Sequence, residues 1–133
     1  MTTGMSWVRL DANLPNHDKV LRLLSDPSPK RWQAMSSYVF GLAWSGGTGT
    51  DGFIPTAALP VVHGTSTTAR LLVKHGFWDE ATAGYTIRNW SERQPTHAAW
   101  TAAGEAKKRA SRKGNCVRHH GPDCGCWKSE GSR

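Results

Sequence analysis

No cysteine occurs before residue 116, and the chain has only three. A disulfide framework for the main body is thereby excluded. Cys116, Cys124 and Cys126 all fall in the last eighteen residues, where a reducing compartment favours metal binding over a bridge. Long apolar runs are also missing. Met1 to Asn16 is broken by Arg9, Asp11 and Pro15, so neither a signal peptide nor a membrane span is expected, and the chain reads as cytoplasmic. Catalytic signatures are equally scarce. There is no phosphate-binding Gly loop with Lys and no nucleophile–base arrangement. A zinc deaminase needs a Glu beside its first ligand and a Pro-Cys-x-x-Cys segment, and neither is present. A His-Asn-His nuclease would have to use His119 or His120, on a tail too short for its hairpin and helix. The sequence is read as non-enzymatic.

Acidic residues are few: 10 against 17 Lys and Arg, for a net charge of +7. The imbalance is local. Residues 1–104 carry nine cations against seven acids, whereas residues 105–133 carry eight against three. A basic tail on a nearly neutral body points to a polyanionic partner, most often nucleic acid. The length suits one domain and an appendage. We place a domain at residues 1–95 and a basic tail at 96–133, with no internal repeats.

Along the body, Trp7–Leu10 reads as a short extended segment packing on the domain. Asn16 is a plausible cap for a helix buried through Val20, Leu21, Leu23 and Leu24. After the break at Asp26-Pro27-Ser28-Pro29, Ser28 as cap and Pro29 at the first position open a longer helix. Its expected buried face is Trp32, Met35, Val39, Leu42 and Ala43, at spacings of three and four. Ser45-Gly46-Gly47-Thr48-Gly49-Thr50 should stop it and supply a flexible link.

The segment Asp51 to Trp90 then spells strand, helix, turn, helix, hairpin. Phe53-Ile54 is the strand. Thr56 caps a helix over Ala57–Val62, kept short or bent by Pro60. His63-Gly64 is the turn, with Gly64 free to take a positive φ. Thr65 or Ser66 caps a last helix running to His75 and ended by Gly76. Phe77–Glu80 and Tyr85–Arg88 form the hairpin. The expected fold is α+β: a small winged helix-turn-helix domain with a Cys/His-containing tail.

In such a unit the second helix projects and the first packs, here through Leu59, Val62, Leu71 and Leu72. The residues left to meet DNA are Thr65, Ser66, Thr67, Arg70 and Lys74, joined by Arg88 from the hairpin. The basic run Lys107, Lys108, Arg109, Arg112 and Lys113 extends the set. Trp32, Trp44, Trp78 and Trp90 are expected in or near the core. Only Trp100 and Trp127 are left for stacking on single-stranded bases. Trp100 to Arg112 can form a solvated or partner-dependent helix.

Cys116, His119, His120, Cys124 and Cys126 lie within eleven residues. Thiolates and imidazoles at this density favour tetrahedral zinc. Cys116 and His120 are one helical turn apart, and Cys124-Gly125-Cys126 would close the site. His119 and His120 compete for the nitrogen position.

Asp51-Gly52-Phe53-Ile54-Pro55, Gly76-Phe77-Trp78-Asp79-Glu80 and Gly84-Tyr85-Thr86-Ile87-Arg88-Asn89-Trp90 resemble the winged-helix domain of actinobacterial and actinobacteriophage proteins related to phage replication initiators. The resemblance spans roughly residues 5–95. It continues through Lys113–His120 and Pro122-Asp123-Cys124, where related proteins carry a small zinc-binding element. It implies zinc held by Cys116, in place of the first His, with His120, Cys124 and Cys126; the Cys pair is one residue closer than in those relatives. It also implies double-stranded DNA as partner, in phage or prophage replication. A transcriptional regulator is the nearest alternative, followed by an adaptor that contacts replication machinery. Oligomeric state and DNA site are not encoded legibly.

Overall fold

A computed structural model describes residues 4–120, with side chains described through residue 111. The residues divide into two compact units, the first ending at His97 and the second beginning at Ala98. The first unit is α+β, with a three-stranded antiparallel sheet.

Pro15 lies in a 3-10 turn, Leu14–Asn16, which absorbs the residue expected as a cap. Helix α1, Asp18–Leu24, is capped instead by His17, whose Nδ1 accepts from the Lys19 amide at 3.2 Å. The backbone of His17 is extended, as a cap requires, and that of Asn16 is already committed to the turn. Val20 and Leu23 are buried; Leu21 faces outward and Leu24 is half-buried. Asp26 Oδ1 then accepts from the Ser28 amide, and Ser28 Oγ accepts from the Lys30 amide. These local bonds hold Ser28–Lys30 in a turn, so helix α2 begins two residues beyond Pro29 and spans Arg31–Thr48.

The buried side of α2 is not the apolar series expected from spacing. It consists of Ala34, Ser37, Gly41, Leu42, Ser45 and Gly46; of the expected face only Leu42 is buried, and Trp32 and Ala43 are exposed. The reason is steric. The bulk in this part of the core comes from other elements, and the helix receives it with small residues. A Cβ on Gly41 would lie 2.9 Å from Ile54 Cδ1 and 3.2 Å from Trp78 Cζ2. The helix runs through Gly46 and Gly47 and stops within the Ser45–Thr50 segment expected to end it, where Gly49 turns left-handed at φ 77°. There the Gly49 and Thr50 amides both reach the Ser45 carbonyl.

Strand β1, Phe53–Pro55, pairs with β3, Gly84–Ile87, which pairs with β2, Trp78–Ala81, in the order β1-β3-β2. Both pairings are antiparallel, with Ile54 opposite Tyr85 and Trp78 opposite Ile87. Between β1 and the next helix the expected Ala57–Val62 helix is instead a 3-10 turn, Thr56–Ala58, followed by successive turns to His63. Pro60 has no amide to donate back to Thr56, so an α-helical ladder cannot start there. Thr56 does not cap it; its amide and hydroxyl both donate to the Ala83 carbonyl in the hairpin turn.

The left-handed residue at the following bend is His63, φ 61°, not Gly64. Gln33 Nε2 and Ser37 Oγ on α2 both donate to its carbonyl, at 2.9 and 3.1 Å. Gly64 is required for room: its Cβ would lie 3.2 Å from Ser37 Oγ and 3.3 Å from Thr68 Oγ1. Helix α3, Ser66–Lys74, is opened by a reciprocal capping box between Thr65 and Thr68. Leu59, Val62, Leu71 and Leu72 are all buried, and the fully buried centre includes Leu23, Ile54, Val62, Leu72 and Trp78.

Past the sheet, one turn of helix α4, Trp90–Arg93, buries Trp90. Buried Gln94 bonds both the amide and the carbonyl of Arg9, at 2.8 and 2.7 Å, pinning the N-terminal segment. Trp7 and Leu10 on that segment are nonetheless exposed. Helix α5, His97–His120, is longer than the Trp100–Arg112 stretch expected to be helical. Thr101 to Ser111 are all exposed on it. Ala-rich sequence sustains such a helix through backbone propensity rather than packing.

Candidate nucleic-acid interface

The amphipathic sequence of α3 divides it sharply. Thr68, Ala69, Leu71 and Leu72 face the core; Thr65, Ser66, Thr67, Arg70 and Lys74 are exposed. At its N-terminus the capping box occupies Thr65 and Thr68 and leaves Ser66 and Thr67 outermost. Arg70 curls toward that end: its Nε lies 3.3 Å from the Ser66 carbonyl and its Nη2 3.5 Å from Ser66 Oγ. Two small hydroxyls and a guanidinium therefore converge on one turn, in which no carboxylate occurs.

The other two expected phosphate contacts are placed differently. Lys74 Nζ is 2.8 Å from Asp26 Oδ2, and the same oxygen takes His75 Nε2 at 2.9 Å. These partners, with the Ser28 amide, hold the Asp26 carboxyl far below the usual carboxylate range. Arg88 is bonded through both Nε and Nη2 to Asp79 across the hairpin. The Arg88 side chain likewise holds the Asp79 carboxyl below its ordinary value. Among the described residues, Arg70 has no carboxylate partner, unlike Lys74 and Arg88. The hairpin tip Thr82-Ala83 carries no charge, and β2 carries Asp79 and Glu80.

A cation absent from the expected set stands close by. Lys19 donates to the Gly76 carbonyl at 3.0 Å, and its ammonium is pushed below its ordinary value by partial burial, then by the nearby Arg88 and Arg93. No local sequence signal marks this grouping, because it joins α1, the end of β3 and α4. The Asp79–Arg88 pair was open to detection from the hairpin register, which makes the two diagonal neighbours. A cleft of about 230 Å³ lies beside this group, lined by Tyr38, Leu42, Ile87, Trp90 and Arg93 among others. Arg93 there is bonded to Asp11 at 3.1 Å.

On the second unit, Lys107, Lys108 and Arg109 are exposed on α5. Arg112, Lys113, Cys116 and His120 lie on the α5 backbone, but their side chains are outside the described residues, as are Cys124 and Cys126 altogether. Cys116 and His120 are one turn apart on that backbone. Among the described residues no three His, Cys, Asp or Glu gather as a metal site. No described helix is long and apolar enough to cross a membrane. Comparison with protein-family models, curated proteins and solved structures yields no match.

Proposed function

We propose that this chain is a winged-helix protein that binds double-stranded DNA through the N-terminal turn of α3, in the cytoplasm of a bacterial host. The observation carrying this reading is the exposed, acid-free turn of Ser66, Thr67 and Arg70 held by a capping box. Small hydroxyls permit close approach to a duplex, helix-end amides favour a phosphate, and a guanidinium can grip a base edge or a phosphate. The run from Lys107 to Lys113 adds nonspecific attraction, and zinc on Cys116, His120, Cys124 and Cys126 would order the segment beyond it. The resemblance of the Asp51–Trp90 motifs to phage replication initiators supports a role in replication, with transcriptional regulation as the neighbouring case. No catalytic role is included.

A duplex titration across salt tests it. Log affinity should fall with log salt in proportion to the phosphates neutralised. Arg70→Ala should weaken binding, and Lys107→Ala with Lys108→Ala and Arg109→Ala should flatten the slope. Unchanged duplex affinity at low salt in both variants would overturn the proposal. One observation favours the adaptor reading in that event. Lys74 and Arg88 are each neutralised by a carboxylate, which suits a protein surface, such as a replication protein, better than a phosphate backbone.

A further inference from the structure

Three large apolar residues of α2 point outward on one side of the helix. Trp32 is 59% exposed, Phe40 46% and Val39 36%, with Ala43 and Gly47 further along the same side. Spacings of three and four put these on one stripe of an 18-residue helix. The stripe continues off the helix: His63 stacks on Phe40 at 4.5 Å and 19°, and Val61 beyond it is 61% exposed. Together these expose on the order of 400 Å² of apolar surface, the size of the largest patch on a typical monomer, which is often functional.

We infer that this face of α2 is a self-association surface whose occupant is a second copy of the chain, packed antiparallel across a two-fold axis. Two features select that occupant. The first is charge. Lys30 and Arg31 sit at the N-terminal end of α2, which has no acidic residue in its first turn, no side-chain cap, and no cation in its last turn. That distribution opposes the helix dipole. An antiparallel copy reverses it, because each Lys30–Arg31 end then faces the other copy's C-terminal carbonyls and exposed Asp51. A parallel copy would set like ends together.

The second feature is shape. An antiparallel register centred between Val39 and Phe40 sets Trp32 opposite Gly47 and Ser36 opposite Ala43. Gly47 has open space where its Cβ would be, so the bulky end of each helix meets the shallow end of the other. The interface is isologous, as a two-fold requires. The stripe supplies roughly half of the ~800 Å² per partner of a standard interface, so association is weak and concentration-dependent.

Sedimentation of the full chain in reductant, without DNA, tests this separately from the DNA proposal. The mass should rise from 14.6 kDa toward twice that value with concentration. Val39→Glu with Phe40→Glu should weaken association at least tenfold with the helix content of the chain retained, since neither side chain belongs to the buried core. Gly47→Trp should also weaken it, and adding Trp32→Ala should restore it. A chain that stays monomeric at several hundred micromolar, or a dimer indifferent to Val39→Glu and Phe40→Glu, overturns the inference. Failure of Trp32→Ala to rescue Gly47→Trp overturns the antiparallel register.

Discussion

Lys74, at the end of α3, reaches 2.8 Å to Asp26, at the bend between α1 and α2, and joins residues 48 apart in sequence. Asp26 is buried although it carries a charge. Its carboxylate is satisfied by Lys74, His75 and the Ser28 amide, which hold it well below the usual range. A carboxyl depressed in the folded state stabilises the fold above its unfolded value, near 3.9, and the effect is lost as pH falls through the folded value. Urea midpoints of the native chain should therefore fall on acidification below about pH 4. Asp26→Asn should lower the midpoint at pH 7 and flatten that acid limb, so that the two curves converge at the most acid pH. Parallel curves would mean that Asp26 is not the group responsible.

Two glycines on α2 should respond to alanine with opposite sign. A Cβ on Gly41 meets Ile54 and Trp78 at 2.9 and 3.2 Å, whereas one on Gly47 meets nothing within 4 Å. Gly47→Ala gains helix propensity alone and should stabilise by about 0.5–1 kcal/mol. Gly41→Ala gains the same but forces its neighbours apart, at about 1–3 kcal/mol for overpacking, and should be net destabilising. Denaturant midpoints of the two variants decide it. Stabilisation by both would mean that Trp78 can yield without loss.

The same helix explains where sequence and structure part. Spacings of three and four fit both the Trp32–Val39–Ala43 series and the Ala34–Ser37–Gly41–Ser45 series. Hydrophobicity alone selects the first, because it cannot register that Trp78 and Ile54 fill the core from the sheet. Elements governed by local chemistry were legible: a hydroxyl cap at Thr65 or Ser66, which falls on Thr65, the arrest at Gly76 and the Asp51–Arg88 strand, turn and hairpin order. His63 and Gly64 exchanged roles because long-range bonds from Gln33 and Ser37 set the bend. In the candidate site Ser66, Thr67 and Arg70 were readable from the amphipathic face of α3. The neutralisation of Lys74 was not, since its partner is distant in sequence.

Arg88 is restrained rather than idle. Its guanidinium is bonded twice to Asp79 at the sheet surface, and exposed pairs of this kind contribute little to stability. Asp79→Asn should leave the unfolding midpoint nearly unchanged while releasing a cation beside α3. If the hairpin base approaches a duplex, low-salt affinity should rise and the salt slope should steepen by about one phosphate. Arg88→Ala in the native background should change little, because the side chain is already neutralised. An Asp79→Asn variant with native affinity and slope would remove the hairpin from the interface.

Zinc binding by the Cys/His cluster can be tested apart from the stability of the first unit. Cys116, His120, Cys124 and Cys126 all lie after Ala98, where the second unit begins, so losing zinc should not disturb the first unit. Metal analysis of the full chain, purified in reductant, should give close to one zinc per chain, and Cys124→Ser should reduce it. His120→Ala and His119→Ala compared at limiting zinc identify the nitrogen ligand, since removing a true ligand lowers affinity and removing its neighbour does not. Chelation should take up protons, and metal rebinding should release them, as the ligating thiolates form again from thiols. The unfolding midpoint of the first unit should stay fixed throughout. A zinc content well below one in the native chain, or a first-unit midpoint that drops with chelator, would show that the Cys/His cluster does not act as an independent metal-ordered element.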